Sequence, residues 1–323
     1  MEELNLQYII NIIKSDLEQK LRQAGIFYRI FARVKSITSI NKKLKSKKGI
    51  YSPNGKKLQD IIGIRIIFYF LEDVEVFHSF LKEHPHSLDE SNSYKDLEAT
   101  GSIGGLENLP DKVFMPTRLN LIFKMDENCQ NELINVLKSI SDIEDYTLID
   151  TTYEVQLRSV LSEGWHEVEH DLRYKCRTDK WWDYCQTESR MLNGIYATLE
   201  TSERAMGNIF SSIALKNYKA KDWTAMIRNH ICIRFQDDVL PDWITTLFND
   251  NKDVAKVILR ANRLDILKTL FNFSTRYPLS MENIVYLINR LSSTPNKDIT
   301  EKEPIIIKTK LDKELKAINK FLI

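Results

Sequence analysis

The sequence predicts an α+β protein in which a mixed sheet flanked by helices is followed by an all-α C-terminal domain. Two observations lead to this fold class. Short apolar, β-branched runs alternate with amphipathic helical patterns in the first part of the chain. From Val160 onward, helical periodicity dominates. We therefore expect two domains, residues 1–210 and residues 211–323, which also suits a chain of 323 residues.

The N-terminal elements follow from local patterns. Apolar residues recur at helical spacing over Glu3–Arg22, and Gly25 ends that helix. The next run, Ile26–Val34, is aromatic and β-branched and predicts a strand. Ser36 then provides an N-cap for a basic helix that extends to about Lys45. A Lys-, Ser- and Gly-rich loop follows.

The centre of the sheet is predicted by Ile61–Phe70, a nearly continuous apolar run typical of a strand that is buried on both faces. Glu72–Glu83 predicts an amphipathic helix. The stretch Pro85–Asp111 is polar and rich in Gly, Ser and Asn. A loop of that length in a compact domain is usually either functional or disordered.

Further strands are predicted at Leu119–Phe123 and Tyr153–Leu157, with a helix near Asn128–Ser139 between them. In the C-terminal domain, Asp253–Phe273 places its apolar residues at helical spacing, which predicts a helical bundle or paired helices. Charges of alternating sign along Lys302–Lys320 predict a helix surface. This domain either regulates the first one, binds a partner or recruits a substrate, or it serves stability or self-association.

Composition excludes several classes of protein. The net charge is +1, so a general electrostatic binder of nucleic acid or membranes is not expected. None of the four cysteines forms a CxxC pair, which favours reduced thiols. The N-terminus lacks a signal-peptide pattern, and no apolar run approaches the roughly 20 residues of a membrane span. We expect a cytoplasmic protein without a membrane partner.

One constellation of polar residues indicates chemistry. Its first members are three basic residues and a hydroxyl, Arg33, Lys35, Lys43 and Ser39. Asp60 and Arg65 follow. The last three, Glu154, Gln156 and Arg158, alternate along one predicted strand and so share a face. Acids and bases gathered on one sheet face are costly unless they bind a ligand. A triphosphate with Mg²⁺ would satisfy both kinds of charge. A salt-bridge ladder on a solvated face explains the same residues equally well.

Five segments, in order, resemble the synthetase domains of RelA/SpoT proteins, including the small alarmone synthetases. The first three segments are RVKSITSINKK at 33–43, LQDIIGIRI at 58–66 and YEVQLRS at 153–159. The last two are GWHEVEHDLRYK at 164–175 and ESRMLNGIYATLETSERAM at 188–206. The resemblance covers about residues 1–210 and implies a nucleotidyltransferase-like fold.

The resemblance also implies an activity, the transfer of pyrophosphate from ATP to the 3′-hydroxyl of a guanine nucleotide, as in (p)ppGpp synthesis. Asp60 and Glu154 would be catalytic and hold Mg²⁺, with Glu154 also serving as base. The implied ATP-binding residues are Arg33, Lys35, Ser39, Lys43 and Arg65. The implied supporting residues are Gln156, Arg158, Glu169, His170 and Lys175.

The acceptor loop departs from the family pattern Gly-Tyr-x-Ser-Leu/Ile-His. The segment VFMPTRLNLIFK at 113–124 places Pro116 where tyrosine is expected. Phe114, Arg118 and Asn120 are the candidate acceptor-binding residues there. Two alternatives therefore stay open: a toxin or defence enzyme that modifies tRNA 3′ ends or adenine nucleotides, and a degenerate nucleotide sensor. An antitoxin or regulatory partner and a homo-oligomer are compatible with these alternatives.

His166, Glu167 and His170 form an HExxH pattern, which in zinc proteases supplies two metal ligands and a base. The family resemblance accounts for the same helix, and it is preferred.

Overall fold

The computed structural model describes residues 6–46, 49–91, 119–174 and 184–321. Contacts divide the chain into two compact units. The first unit extends to Glu18 and resumes over Tyr28–Glu203, and the second contains Gln19–Phe27 and the chain from Arg204 onward. The second unit thus contains a short N-terminal segment as well as the C-terminal helices. No helix among the described residues has both the length and the apolar character of a membrane span.

The first unit is built on a five-stranded mixed sheet in the order β1-β2-β5-β4-β3. The strands are β1 Tyr28–Val34, β2 Ile62–Phe68, β3 Ser87–Ser91, β4 Leu119–Lys124 and β5 Thr152–Ser159. The central strands β2 and β5 run parallel, and the other neighbours are antiparallel. The predicted fold class is confirmed.

Helices of the first unit flank this sheet. They are α1 Gln7–Ala24, α2 Ile37–Ser46, α3 Leu71–Lys82, α4 Glu127–Ser139, α5 Val160–Glu169 and α6 Gln186–Ala220. A 3₁₀ turn at Tyr146–Leu148 precedes β5, and a π-helical turn at His170–Tyr174 extends α5. Helices α1 and α6 each run from one unit into the other.

The second unit is helical in its described part. Its further helices are α7 Trp223–Ile231, α8 Asp242–Asp250, α9 Lys252–Arg260, α10 Arg263–Asn272, α11 Met281–Leu291, α12 Lys297–Glu301 and α13 Ile305–Phe321. The end of α1 also belongs here, because Gln23 Nε2 donates to the carbonyls of Leu270 and Phe273, both at 2.7 Å. Gly25 follows α1 with φ +69°, where a Cβ atom would lie 2.7 Å from Leu279 Cδ1. Glycine is therefore required at this turn.

The structure corrects one predicted element and confirms two other predictions. The stretch Pro85–Asp111 was expected to be a loop, but its start forms the strand β3, and residues 92–118 lie outside the described residues. The central strand is confirmed as buried on both faces, since every residue of β2 except Arg65 is buried. Ser36 does cap α2, because its hydroxyl accepts the Ser39 backbone N–H at 3.3 Å.

Candidate active site

A cleft of about 550 Å³ opens on one face of the sheet, beside β1, β2 and α5. Strand pairing places two rows of residues across this face. The first row is Arg33, Gly63 and Glu154, and the second is Phe31, Arg65, Gln156 and Asn120. Residues two apart on a strand share a face, so both rows point to the same side. The cleft is thus lined by charged and amide side chains on a rigid support.

Gly63 has no side chain, which leaves space in the cleft for the side chain of Arg33. A Cβ atom at this position would lie 3.5 Å from Arg33 Nε and 3.6 Å from Arg33 Cγ, so the Arg33 side chain lies across the glycine. Arg33 itself is exposed. Its planar guanidinium is free of a tight pocket and can stack on a flat ligand.

Asp60 lies just before β2 and is held by two lysines. Lys35 Nζ lies 2.5 Å and Lys43 Nζ 2.7 Å from the same oxygen, Asp60 Oδ2. Lys35 follows β1, and its backbone N–H donates to Ile61 O at 2.8 Å. Lys43 comes from α2. We call these three residues the Asp60 cluster.

Burial and charge act against each other in the Asp60 cluster. Burial alone would raise the pKa of Asp60, but the hydrogen bonds and charges of both lysines outweigh it and hold that pKa below its usual value. Burial dominates at Lys35 and lowers its pKa despite the Asp60 carboxylate. At Lys43, burial also opposes the charge, but Asp60 wins and the pKa is raised.

The second oxygen of Asp60, Oδ1, is buried and has no hydrogen-bond partner among the described residues. A buried carboxylate oxygen without a partner is costly. The cost is explained if a ligand satisfies this oxygen.

Glu154 is held by an amide on each side. Asn120 Nδ2 donates to Oε1 at 2.9 Å, and Gln156 Nε2 donates to Oε2 at 2.8 Å. Each amide also accepts from an arginine: Arg158 Nη2 reaches Asn120 Oδ1 at 3.4 Å, and Arg65 Nε reaches Gln156 Oε1 at 3.2 Å. The carboxylate is therefore fixed in orientation by four neighbours.

Arg65 is pinned further by the helix that follows β5. Ser159 and Ser162 form a capping box that starts α5 directly after the strand. Glu163 and Glu167, four residues apart, then share one helix face and both bond Arg65, Glu163 at 2.7 Å. Both acids line the cleft. Neither glutamate was predicted to bond Arg65, although the serines of the capping box and the i,i+4 spacing of the two acids are visible in the sequence.

The match with known families agrees with this geometry. Residues 32–179 match the family described as a region found in RelA / SpoT proteins. This stretch, which is somewhat less than half of the chain, is therefore similar to RelA/SpoT regions, and we call it the RelA/SpoT-like region. It contains the Asp60 cluster, Glu154 and both amides.

Several solved structures are similar over most of their length. Small alarmone synthetase 2 from Bacillus subtilis is 17% identical, with TM-score 0.41, covering 63% of this chain and 94% of that one. Small alarmone synthetase 1 from Bacillus subtilis, bound to its product pppGpp, is 17% identical, with TM-score 0.43 and coverages of 65% and 94%. A GTP pyrophosphokinase family protein from Streptococcus pneumoniae is 20% identical, with TM-score 0.41 and coverages of 63% and 88%.

These overall similarities are low, so the likeness to the RelA/SpoT family rests on the match at residues 32–179. Comparison with curated proteins finds no match.

The remaining predicted site residues differ in their placement. Ser39 is exposed on α2 and bonds Ser36 Oγ at 2.8 Å. Arg158 is buried on β5. His170 lines the cleft and bonds Asp171 at 3.0 Å. Phe114, Arg118, Pro116 and Lys175 lie outside the described residues.

Glu169 lies in a buried network instead of the cleft lining. Its carboxylate accepts from Arg173 Nε at 3.2 Å, and Arg173 also donates to Ser189 Oγ and Asn193 Oδ1 on α6. Arg173 further lies over the Trp165 ring, 5.7 Å from its centroid. This network joins α5 to α6.

The HExxH pattern does not assemble a metal site in the described part of the chain. His166 is buried and packs edge-on against Trp165 and Tyr196, while Glu167 bonds Arg65. No group of three or more His, Cys, Asp or Glu residues that could hold a metal occurs among the described residues.

Proposed function

We propose that this protein is an ATP-dependent pyrophosphokinase that transfers the β,γ-pyrophosphate of ATP to the 3′-hydroxyl of a guanine nucleotide. The proposal is carried by two carboxylates within the RelA/SpoT-like region: Asp60, which is bonded by two lysines, and Glu154, which is bonded by two amides. The cleft lined by Arg33, Arg65 and Gln156 has a volume in the usual range of small-molecule pockets.

Residues of the Asp60 cluster and residues that line the cleft suit different parts of ATP. Lys35 and Lys43 supply cationic donors for phosphate oxygens, and Ser39 adds a hydroxyl on the same helix as Lys43. Arg33, lying over Gly63, offers a flat cation for the base, and Arg65 lines the same cleft. Glu163 and Glu167 make the α5 side acidic, so the phosphates belong at the lysine side.

The donor set fits Mg²⁺. Mg²⁺ is usually held by one or two carboxylates together with substrate phosphates and water. Asp60 offers an unsatisfied oxygen, and Glu154 a carboxylate with remaining acceptor capacity. When bound, the ion would neutralise charge on the transferring phosphates.

The reaction balances with the residues present. The acceptor 3′-oxygen forms a bond to the β-phosphorus of ATP, and the bond from that phosphorus to the α,β-bridging oxygen breaks, so AMP leaves. Glu154 takes the proton of the 3′-hydroxyl. The lysines stabilise the phosphate charge, and positioning supplies most of the rate, as is general for phosphoryl transfer.

The first test incubates the purified chain with γ-labelled ATP and Mg²⁺, in parallel with GDP, GTP, ADP and total tRNA. We expect label on GDP or GTP, with AMP released in equal amount, and none with Asp60→Ala. Label on tRNA or ADP instead would overturn the guanine acceptor and favour the toxin alternative. ATP binding without transfer to any acceptor would overturn the enzymatic proposal in favour of a sensor.

A further inference from the structure

The hydrogen bonds around Glu154 form two arms of the same chemical order. One arm runs from Arg158 through Asn120 to Glu154, and the other from Arg65 through Gln156 to Glu154. In both arms an amide stands between a guanidinium and one carboxylate oxygen. The arms come from different places in the chain, since Asn120 lies on β4, whereas Gln156 shares β5 with Glu154.

This order fixes the direction of every bond in the arms. A guanidinium can only donate, and an ionised carboxylate can only accept. The amide oxygen must therefore face the arginine, and the amide nitrogen must face Glu154. An aspartate at position 120 would repel Glu154, and an apolar residue would break the arm.

Burial strengthens the hydrogen bonds of both arms. Arg158 is buried, and Asn120, Gln156 and Glu154 are half-buried. Bonds to a charged group in such surroundings are stronger than exposed ones. Both carboxylate oxygens receive a donor, so the Glu154 side chain is restrained in rotation and in tilt.

We infer that Asn120 and Gln156 are positioning residues that hold the Glu154 carboxylate in its reactive orientation. Asn120 then acts through Glu154 and does not read the acceptor, which was its expected role. The inference rests on the proposed function for its kinetic test, while its spectroscopic test is independent of turnover.

The kinetic test uses Asn120→Leu, which keeps the shape and removes both hydrogen-bonding groups. We expect kcat to fall by about 10- to 100-fold, as for a lost bond to a charged group, with the acceptor KM changed by less than about twofold. In a Glu154→Gln background the same substitution should cost less than about twofold, because the residue through which it acts has changed. The matched control is Asn41→Leu, which should leave kcat unchanged. Asn41 lies on α2, and its side-chain amide donates to the Asp142 carbonyl instead of a residue of the two arms.

Two kinetic results would overturn the inference: a raised acceptor KM at unchanged kcat, or a full multiplicative loss in the Glu154→Gln background. If the wild-type chain transfers no label, the side-chain amide signals of Asn120 and Gln156 in nitrogen–proton NMR spectra decide the matter. Signals that shift and exchange faster in Glu154→Gln support the positioning role although the proposed function has failed. Signals that do not respond overturn it.

Discussion

The ion pairs of Asp60 have a consequence for the ligand binding that we propose. Without nucleotide, the Asp60 carboxylate forms ion pairs with the ammonium groups of Lys35 and Lys43, which are the proposed phosphate ligands. Under the proposed function, triphosphate would compete for both lysines, and Mg²⁺ would have to reach a carboxylate that is already bonded by two cations. Nucleotide and metal would therefore satisfy the Asp60 cluster best if they bound together.

This competition predicts an unusual binding result. Asp60→Asn should bind metal-free ATP about 3- to 10-fold more tightly than the wild type, because both lysines lose their anionic partner. The same variant should lose pyrophosphate transfer. Titration calorimetry with ATP in the presence of a chelator measures the first effect.

Removing any carboxylate makes the protein more positive, so the test needs a control of equal charge. Glu144→Gln frees Lys45, another lysine of α2, from an exposed pair of 2.6 Å. It should leave ATP affinity within about twofold, since exposed pairs contribute little. Equal tightening in both variants would show a general charge effect and contradict the competition.

At this scale, residue types could be predicted from the sequence, but their partners could not. The alternating residues of β5 and the acid before β2 were identifiable as a candidate site, but spacing alone explained a salt-bridge ladder equally well, and the family resemblance favoured the site. The bond from Asn120 to Glu154 spans 34 positions and exists because β4 pairs with β5 in one particular register. A shift of one residue would have turned Asn120 to the other face.

Among the elements, α4 shows how one side chain sets a boundary. Asp126 is its N-cap and accepts the Cys129 backbone N–H at 2.8 Å. Backbone hydrogen bonding, chiefly from Cys129, lowers the pKa of Asp126. The carboxylate satisfies a helix N–H that would otherwise lack an intrahelical partner.

We expect Asp126→Ala to destabilise the first unit by about 1 kcal/mol, the usual cost of a lost N-cap. Because the folded pKa is depressed, the ionic part of this stabilisation is present at neutral pH and disappears as pH falls through the folded value. Chemical unfolding at pH 7 and at pH 3 measures both effects. Asp126→Asn, which keeps the cap without the charge, should be nearly as stable as the wild type at pH 7, and a loss equal to that of alanine would contradict a capping role.

The predicted elements were most accurate where burial decides the pattern. The central strand and the flanking helices follow from apolar periodicity and capping residues. The strand β3 was missed because it pairs with β4 alone at the sheet edge and carries the polar sequence Ser-Leu-Asp-Glu-Ser. Charged residues are common on such edges, so composition resembles a loop.

Over the whole molecule, the two units are not two consecutive stretches of the chain, as the sequence had predicted. We expected a boundary at residue 210, whereas contacts divide the chain between Glu203 and Arg204 and assign Gln19–Phe27 to the second unit. Periodicity could not reveal this, because α1 is one continuous helix and its pattern does not change where its neighbours do. Among the residues at its end, Leu21, Ala24 and Ile26 are fully buried.

A fragment of residues 1–210 should therefore be unstable even though it contains the whole stretch that matches the RelA/SpoT family. It would expose the apolar end of α1 and leave the Gln23 amide without its two carbonyl partners. We expect aggregation or a lower unfolding temperature than for the full chain, measured by scanning calorimetry and light scattering. The fragment with Leu21→Gln and Ile26→Gln should aggregate less, and a wild-type fragment as stable as the full chain would contradict the assignment.

The hydrogen bonds of Gln23 at the end of α1 also have a consequence for protein synthesis. Gln23 leaves the ribosome 247 and 250 residues before the carbonyls that it binds. At a translation rate of roughly 5–20 residues per second, this segment waits roughly 10–50 s for its partners. During that time its apolar side chains are available to chaperones, and the second unit cannot be completed until the ribosome has made most of the chain.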